Sequence, residues 1–204
     1  SEKGFGLPYA YGINDEALLE SNSQYIQVVS CNTHNICSIL KSLSPNFDRV
    51  VDADFVCIRR ANDISQNGSF IASPEVGSHK DFTFGTHHAA DASRVLKTMY
   101  YNLPLYSSAM KVNSQYMHTI RFSVTIKGNK NKERILNNFK ENSFVALTHK
   151  NLANKIFSFG RDHGYYGRIY NHTVVSIPSI QAISTGKGTK ISGFCFTLKM
   201  ETLC

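Results

Sequence analysis

The strongest restriction on the fold comes from an abrupt change of hydrophobic pattern near residue 30. The run Tyr25-Ile26-Gln27-Val28-Val29 has the apolar, β-branched character of a strand. Directly after it, apolar residues recur at helical spacing, namely Ile36, Ile39, Leu40 and Leu43. We therefore predict a strand over Tyr25–Ser30 that passes at once into a helix over Asn32–Leu43. Cys31 lies at this junction, in the first turn of the helix.

The position of Cys31 makes it the first candidate for chemistry. Unpaired backbone N–H groups and the positive end of the helix dipole both favour a thiolate in a first turn, and the thiolate is the nucleophilic form of cysteine. The neighbours Ser30, Asn32 and Thr33 are polar and suit a helix cap or an oxyanion contact. The competing interpretation is a buried cysteine that packs as a small hydrophobic residue. We assign that role to Cys37, which lies inside the helix.

Composition narrows the class of protein without choosing a function. The 204 residues include five cysteines, an odd number with no Cys-x-x-Cys pair, and the start carries no recognisable secretory signal. We therefore expect reduced thiols and a cytoplasmic protein. No apolar stretch approaches the ~20 residues that cross a bilayer, so we expect no membrane span. The formal net charge of +7 is compatible with nucleic acid, an anionic surface or a phosphorylated small molecule.

The order of the predicted elements indicates an α+β fold, with a largely antiparallel or mixed sheet and helices packed on one face. We predict one domain over residues 1–204, because no linker or internal repeat divides the chain. Gly186-Lys187-Gly188 reads as a hairpin loop, so the last two strands are expected to be antiparallel. The predicted strands are Tyr25–Ser30, Val50–Arg60, Met110–Asn113, Gln115–Ile126, Val174–Ile183 and Lys190–Met200. The predicted helices are Asn32–Leu43, Ala90–Met99, Asn131–Glu141 and Asn151–Asp162.

Two adjacent arginines end the second predicted strand, in the run Cys57-Ile58-Arg59-Arg60-Ala61-Asn62-Asp63. Side chains alternate along a strand, so Arg59 and Arg60 are expected to point to opposite faces, and one of them can face a site. A guanidinium group donates two parallel hydrogen bonds and therefore suits phosphate. Phosphate binding by one of the pair is the functional interpretation, and a solvated strand end is the alternative.

A histidine pair stands in the run Gly85-Thr86-His87-His88-Ala89-Ala90-Asp91, which precedes a predicted helix. Adjacent side chains on a strand diverge, and no cysteine or carboxylate stands at a recognised ligand spacing, so we expect no metal site. The functional interpretation of His87 and His88 is a hydrogen bond to phosphate near a helix start. A surface turn is the alternative.

His118 lies on a strand whose alternation places Tyr116, His118, Ile120 and Phe122 on one face. A histidine on a strand face shared with apolar and aromatic residues is normally a core residue. An activated cysteine, however, benefits from an imidazole that stabilises the thiolate and moves protons to and from the substrate oxygen. Among the eight histidines, His118 has the strand position that best suits this role.

Four of these motifs together resemble the catalytic domain of archaeal-type glyceraldehyde-3-phosphate dehydrogenase. They are Val28–Thr33, Ile58–Asp63, Thr86–Asp91 and the strand around Met117-His118, in the order and approximate spacing of that domain. Later segments also look like the end of the domain, namely Phe159–Asp162, Ile169-Tyr170 and Phe194–Leu198. The resemblance therefore covers nearly the whole chain and implies the fold of that catalytic domain.

The resemblance implies a particular chemistry. Cys31 would attack an aldehyde to give a thiohemiacetal, a hydride would leave for NADP or NAD, and inorganic phosphate would cleave the resulting thioester to an acyl phosphate. His118 would be the acid/base imidazole. The other implied residues flank the oxyanion or bind the phosphate group of the substrate or inorganic phosphate, namely Asn32, Thr33, Arg59, Arg60, His87 and His88.

The resemblance also implies a nucleotide-binding half before the catalytic half, and this sequence has no Gly-x-Gly-x-x-Gly turn for it. We therefore expect no Rossmann domain in the chain and no turnover unless a nucleotide-binding partner or segment is supplied. The family strand carries two histidines two residues apart, whereas this chain keeps only His118, and either alignment preserves its face. A split enzyme, a fragment and a degenerate relative all fit the sequence.

Two other functions are compatible with the sequence. One is a related acyl-phosphate reductase such as an aspartate-semialdehyde dehydrogenase. The other is a non-enzymatic binding or assembly module that uses the basic surface. Nucleic acid is the less favoured partner, because the sequence has no RNA-recognition aromatic motif and no zinc finger. A homo-oligomer is implied by the family resemblance only.

Overall fold

The computed structural model describes residues 4–61, 71–79, 81–114, 116–162 and 173–197. Within them, one mixed sheet of eight strands forms the centre of the molecule, and a separate pair of short strands lies beside it. The helices are α1 (Asp15–Leu19), α2 (Cys31–Leu43), α3 (His87–Lys97), α4 (Lys132–Glu141) and α5 (Ala153–Asp162). Among the described residues, no helix has the length and apolar character needed to cross a membrane.

Strands and helices are interspersed along the chain, and the main sheet combines parallel and antiparallel pairs, as in an α+β arrangement. The two-stranded pair is β1 (Leu7–Tyr9) and β2 (Ile26–Val28), which run parallel. The strands of the main sheet are β3 (Val50–Arg59), β4 (Glu75–Val76), β5 (Leu105–Lys111), β6 (His118–Ile126), β7 (Val145–Thr148), β8 (Thr173–Ser176), β9 (Gln181–Thr185) and β10 (Gly188–Thr197).

The main sheet has the strand order β4-β5-β3-β6-β10-β8-β7, and β9 pairs with β10 off this path. β3 pairs with β5 in parallel and with β6 in antiparallel register, with Cys57 opposite Ile120. β10 is antiparallel to β6 on one edge, and β8 and β9 share its other edge. The expected antiparallel hairpin of the last two strands is confirmed, since Gly188 pairs with Thr185 across the turn.

One face of the sheet is covered by three helices. Buried residues of α2, α3 and α4 join one core with the strand residues Phe55, Ile120 and Phe122. Phe139 of α4 contacts Phe122 edge-to-face, with ring centroids 6.1 Å apart. Each such fully buried side chain contributes roughly 1.5–3 kcal/mol through the hydrophobic effect.

The prediction that the helices pack on one face needs a correction, because α5 lies on the other. Ile156 of α5 packs in a second buried cluster with Val174 and Phe196. Val175 and Cys195, the strand neighbours of those two residues, belong to the main core instead. Successive strand residues point to opposite faces, so α5 covers the reverse side of the β8–β10 end.

Several element boundaries differ from the predictions. The strand predicted over Met110–Asn113 begins earlier, at Leu105, as part of β5. The strand predicted over Val174–Ile183 is broken by a 3-10 turn over Ile177–Ser179, because Pro178 has no N–H to donate to a ladder. The helix predicted from Ala90 begins at His87, since Thr86 already has the extended backbone of an N-cap.

Candidate functional site

The first turn of α2 is built by its own sequence. Ser30 is the N-cap in extended conformation (φ −67°, ψ 158°), and its Oγ accepts a hydrogen bond from the Thr33 backbone N–H at 3.4 Å. The Ser30 and Thr33 hydroxyl groups also lie 3.0 Å apart. Cys31 therefore follows the cap as the first residue of the helix, where the unpaired amides and the helix dipole act most strongly.

Asn32 and Thr33 differ in what they can offer a ligand. Both are buried, and the Thr33 hydroxyl is engaged with the Ser30 cap. The Asn32 side-chain oxygen is buried and has no hydrogen-bond partner among the described residues. Of these two predicted residues, Asn32 is the one whose side-chain oxygen has no partner within the described part of the chain.

The described cysteines fall into two environments. Cys37, Cys57 and Cys195 are buried, whereas Cys31 is partly exposed. Burial raises the pKa of Cys37 to about 12, and burial together with the interaction with Cys31 raises the pKa of Cys57 to about 12. Burial likewise raises the pKa of Cys195. At neutral pH these three cysteines are therefore protonated thiols, which are poor nucleophiles.

His118 begins β6 and is only 2% exposed. It pairs with Thr197 of β10 and lies on the same strand face as Ile120, which belongs to the main core. Its Nδ1 accepts a hydrogen bond from the Arg60 backbone N–H at 3.0 Å. The imidazole is thus held between the end of β3 and the start of β6.

Arg59 and Arg60 diverge, as the alternation of strand side chains predicts. Arg59 follows Cys57 on the core face and is one of the charges that lower the pKa of His88. The Arg60 guanidinium donates to the Tyr116 carbonyl at 3.5 Å and lines a shallow cleft with Tyr116 and Phe157. Arg59 is therefore the arginine that interacts with the histidine pair, while Arg60 approaches His118 through its backbone.

The first turn of α3 holds the histidine pair. His87 and His88 have ring centroids 3.9 Å apart, so the expected divergence of the two side chains is wrong. The reason is that both residues lie in a helical turn rather than on a strand. His88 is 3% exposed, and neither ring nitrogen has a hydrogen-bond partner among the described residues. Burial lowers the pKa of His88 well below its ordinary value, and the charges of His87, Arg59 and His118 lower it further.

The cap of α3 comes from a distant strand. The Thr86 side chain makes no cap hydrogen bond. Ser107 of β5 supplies the missing group instead, because its hydroxyl accepts the Ala89 backbone N–H at 3.1 Å and lies 2.6 Å from the Thr86 hydroxyl. The sequence analysis missed Ser107, and no local pattern could have found it, since the two segments meet only through the pairing of β5 in the sheet.

Electrostatic interactions connect most of the predicted site residues. His88 interacts with His87, Arg59 and His118, and Cys57 interacts with Cys31 and Arg59. The first turns of α2 and α3 therefore meet the end of β3 and the start of β6. The Arg59 guanidinium, the two helix N-termini and the buried His88 ring nitrogens, which have no partner among the described residues, favour an anionic ligand at this point.

The remaining points from the sequence analysis are the metal site and the motif residues that the structure does not describe. Across the described ranges, no group of three or more His, Cys, Asp or Glu side chains could hold a metal ion. Asn62, Asp63, Gln115, Ile169, Tyr170 and the end of the chain from Leu198 lie outside the described residues.

Three curated proteins of the same name are similar to part of this chain. The glyceraldehyde-3-phosphate dehydrogenase of Sulfolobus acidocaldarius is 28% identical over 169 residues, which is 78% of this chain and 46% of the relative. The enzyme of the same name from Methanocaldococcus jannaschii is 27% identical over 163 residues, with the same two shares. That of Methanoregula boonei is 28% identical over 133 residues, covering 65% of this chain and 36% of the relative.

The coverage limits what these similarities mean. The chain spans about half the length of the first two curated relatives, at 46% of each. No family model matches the chain. The comparisons thus show a partial segment similar to archaeal glyceraldehyde-3-phosphate dehydrogenase.

Proposed function

We propose that this chain is the catalytic part of a phosphorylating aldehyde dehydrogenase of the glyceraldehyde-3-phosphate dehydrogenase type. The Cys31 thiolate attacks the aldehyde carbon of a phosphorylated aldehyde and forms a carbon–sulfur bond. Oxidation of that carbon gives a thioester, which inorganic phosphate cleaves to an acyl phosphate while Cys31 leaves as the thiolate. The observation that carries this proposal is the partial exposure of Cys31 at a capped helix N-terminus. The other described cysteines, Cys37, Cys57 and Cys195, are buried.

The anionic groups of this reaction fit the residues around Cys31. Arg59 and the neutral His88 are the groups that we assign to phosphate binding, because a guanidinium and an imidazole N–H both donate to phosphate oxygens. His88 supports this role through two buried ring nitrogens that have no partner among the described residues. His87, Asn32 and Thr33 stay predicted neighbours of the same site, and Arg60 is assigned to its border.

The hydride acceptor needs a separate binding unit. NAD or NADP would supply the oxidant for the thiohemiacetal. The described residues contain no glycine-rich strand-to-helix turn of the kind that binds a dinucleotide, so the residues present do not fit that cofactor by themselves. We therefore assign the cofactor to a nucleotide-binding partner or segment and derive no step through it.

The surface beside Cys31 is suited to such a partner. β2 ends three residues before Cys31, and its Ile26 and Val28 side chains are 49% and 59% exposed. The neighbouring Tyr25 is also exposed and stacks on Phe5, with ring centroids 4.6 Å apart. Contiguous exposed apolar side chains next to a site are typical of a docking surface. A cytoplasmic location and a homo-oligomer stay predictions.

Selective alkylation of the cysteines tests the nucleophile. At pH 7 we expect iodoacetamide to modify Cys31 at least about a hundredfold faster than Cys37, because a thiol with a pKa of about 12 is almost wholly protonated there. The measurement is peptide mass spectrometry over time. Cys31→Ser must abolish the fast phase and Cys37→Ser must leave it intact. Equal rates for Cys31 and Cys37 would overturn the proposal.

Substrate profiling distinguishes the alternatives. With a nucleotide-binding domain of a related dehydrogenase supplied, we expect phosphate-dependent oxidation of a phosphorylated aldehyde that is lost in Cys31→Ser. Preference for an aspartyl semialdehyde would favour the related reductase. Salt-sensitive RNA binding without a fast-reacting cysteine would favour the non-enzymatic basic module instead.

A further inference from the structure

A cluster of cations lies at the end of the main sheet that is opposite to the candidate site. We call it the basic patch and define it by its five members, which are Lys127, Lys130, Lys132, Arg134 and Lys187. The basic patch follows the end of β6, whereas the candidate site includes the start of the same strand. The nine residues of β6 separate the two regions by about 26 Å, at roughly 3.3 Å per residue. The basic patch is therefore a separate region of the surface.

The turn between β9 and β10 brings two distant segments together in the basic patch. Gly188 at this turn packs against the end of β6, since a Cβ on Gly188 would lie 2.1 Å from the carbonyl oxygen of Ile126 and 3.1 Å from Cα of Lys127. Lys187 directly precedes Gly188 and is exposed, as is Lys127. The close approach of the two backbones thus places a lysine of the turn beside the segment that follows β6.

Hydrogen bonds hold the segment after β6 in place. The Ser184 hydroxyl of β9 donates to the side-chain oxygen of Asn129 at 2.9 Å. The Lys130 backbone N–H donates to Oγ1 of Thr189 at 2.9 Å. Because the backbone that carries these cations is already fixed, a ligand loses little binding free energy in ordering it.

The basic patch borders an open cleft of about 700 Å³. Lys130, Lys132 and Arg134 line this cleft together with amide and hydroxyl side chains. Its described lining includes no carboxylate, and Glu133, the acidic residue of the same stretch, is not part of it. Within the ranges that the structure describes, none of the five cations forms a salt bridge. Their charges are therefore available to an anionic partner.

The exposure of these side chains favours a chain of phosphate groups over one small anion. Lys127, Lys132, Arg134 and Lys187 are exposed, and a single exposed ion pair contributes little free energy. A ligand gains from such a surface when many of its charges are engaged together, as when a nucleic acid releases its counterions to lysine and arginine. The Arg134 backbone N–H already donates to the Asn131 side chain at 2.9 Å, so the side-chain cations, and not the start of α4, carry the attraction.

The lining of the cleft also indicates how a nucleic acid is bound. No aromatic side chain of the described residues lines it, so an unpaired base has no ring on which to stack. A membrane-binding surface combines cations with apolar side chains, but the exposed Ile183 points to the opposite face of β9 from Ala182 and Ser184, which line the cleft. We propose that the basic patch binds the sugar–phosphate backbone of a nucleic-acid duplex without reading its sequence, as a second function that is independent of Cys31.

Binding of the full chain to a fluorescein-labelled DNA duplex, followed by fluorescence anisotropy, tests the proposal. Five phosphate contacts predict a slope of about −4.5 for log K against log salt, which is a loss of roughly 500-fold in affinity between 50 and 200 mM salt. A duplex of unrelated sequence should bind equally well, and a single strand of the same length should bind no more tightly. Undetectable binding at the lower salt concentration, a slope near zero or tighter binding of the single strand would each overturn the proposal.

Paired substitutions locate the binding surface. Lys132→Gln combined with Arg134→Gln removes two cations of the basic patch and should make the slope shallower by about 2, with an affinity loss of at least about tenfold at low salt. Lys97→Gln combined with Lys155→Gln is the matched control, because it removes the same charge at exposed positions on α3 and α5. Equal losses in the two double variants would show that net charge alone attracts the duplex and would contradict a role for the basic patch.

Two further measurements complete the test. The alkylation rate of Cys31 should be unchanged in the Lys132→Gln and Arg134→Gln double variant, which separates this proposal from the proposed function. If the double variant fails to fold, Lys187→Gln decides instead, with an expected change of about 1 in the slope and none as the contradicting result. Binding to phosphatidylserine vesicles without binding to the duplex would assign the basic patch to a membrane surface and overturn the proposal.

Discussion

The first turns of α2 and α3 both carry residues of the candidate site, but their backbone N–H groups are capped in different ways. α2 is capped by its own Ser30, and its first residue, Cys31, stays partly exposed. α3 is capped by Ser107 from β5, and its second residue, His88, is buried without a hydrogen-bond partner among the described residues. The helix start with a local cap therefore has a partly exposed cysteine, whereas the helix start capped from a distant strand has a buried histidine.

The largest effect expected from this contrast is a pH dependence of the free energy of unfolding, caused by the buried His88. The folded-state pKa of His88 is well below 6.5, mainly because of burial, so below pH 6.5 the unfolded chain binds a proton that the folded chain does not. Stability is then fully present above pH 6.5 and falls as the pH decreases toward the folded-state pKa. We expect the free energy of unfolding to decrease between pH 7 and pH 5 by up to about 2 kcal/mol, the limit for one proton bound only by the unfolded chain, as measured by urea denaturation.

His88→Phe provides the control for this pH dependence. The variant should lose most of the decrease and be at least as stable as the wild type at pH 7, because it removes two buried nitrogens that have no partner in the described ranges. His34, whose pKa is also lowered by burial, should account for a smaller residual slope. An undiminished slope in His88→Phe would show that His88 is not the titrating group.

The next effect concerns the distant cap. Ser107→Ala removes the acceptor of the Ala89 N–H in a fully buried position, and we expect a loss of about 2 kcal/mol in the free energy of unfolding. Ser108→Ala, one residue along the same strand, is the matched control and should change stability by less than about 0.5 kcal/mol. Equal effects of the two variants would contradict the capping role of Ser107.

The smallest effect is expected at the local cap. Ser30→Ala should cost about 1 kcal/mol, because water can replace part of the cap at this exposed residue, and Ser30→Gly only a few tenths. Chemical denaturation of the two variants measures the difference. A Ser30→Ala cost above that of Ser107→Ala would reverse the comparison between the two helices.

The long periodic elements of the fold could be predicted from sequence. The helix expected over Asn32–Leu43 and the strand over Val50–Arg60 differ from the observed α2 and β3 by one residue at one end. β5 could not be predicted at its correct start, because Ser107 and Ser108 interrupt the apolar pattern and the strand is stabilised by its parallel pairing with β3. The short strands β1, β4 and β7 carry too few residues for a period to be recognised.

The candidate site was predictable where one segment determines it. The position of Cys31 at the start of a helix and the divergence of Arg59 and Arg60 follow from local helix and strand geometry. Which arginine meets the histidines depends on the register between β3 and β6, and the acceptor role of His118 depends on a main-chain group. A single sequence carries neither the register nor any signal for a backbone hydrogen bond.

The placement of β10 governs how the molecule exchanges its amide hydrogens. This strand is paired with β6 along Thr189–Thr197, and β9 and β8 cover parts of its opposite edge. At its centre, a Cβ on Gly193 would lie 2.5 Å from Ile180 Cδ1 and 2.7 Å from the Phe122 ring, so even a methyl group has no room. Amides of β10 should therefore be among the last to take up deuterium, and amides of the short two-stranded β1–β2 pair should exchange earlier.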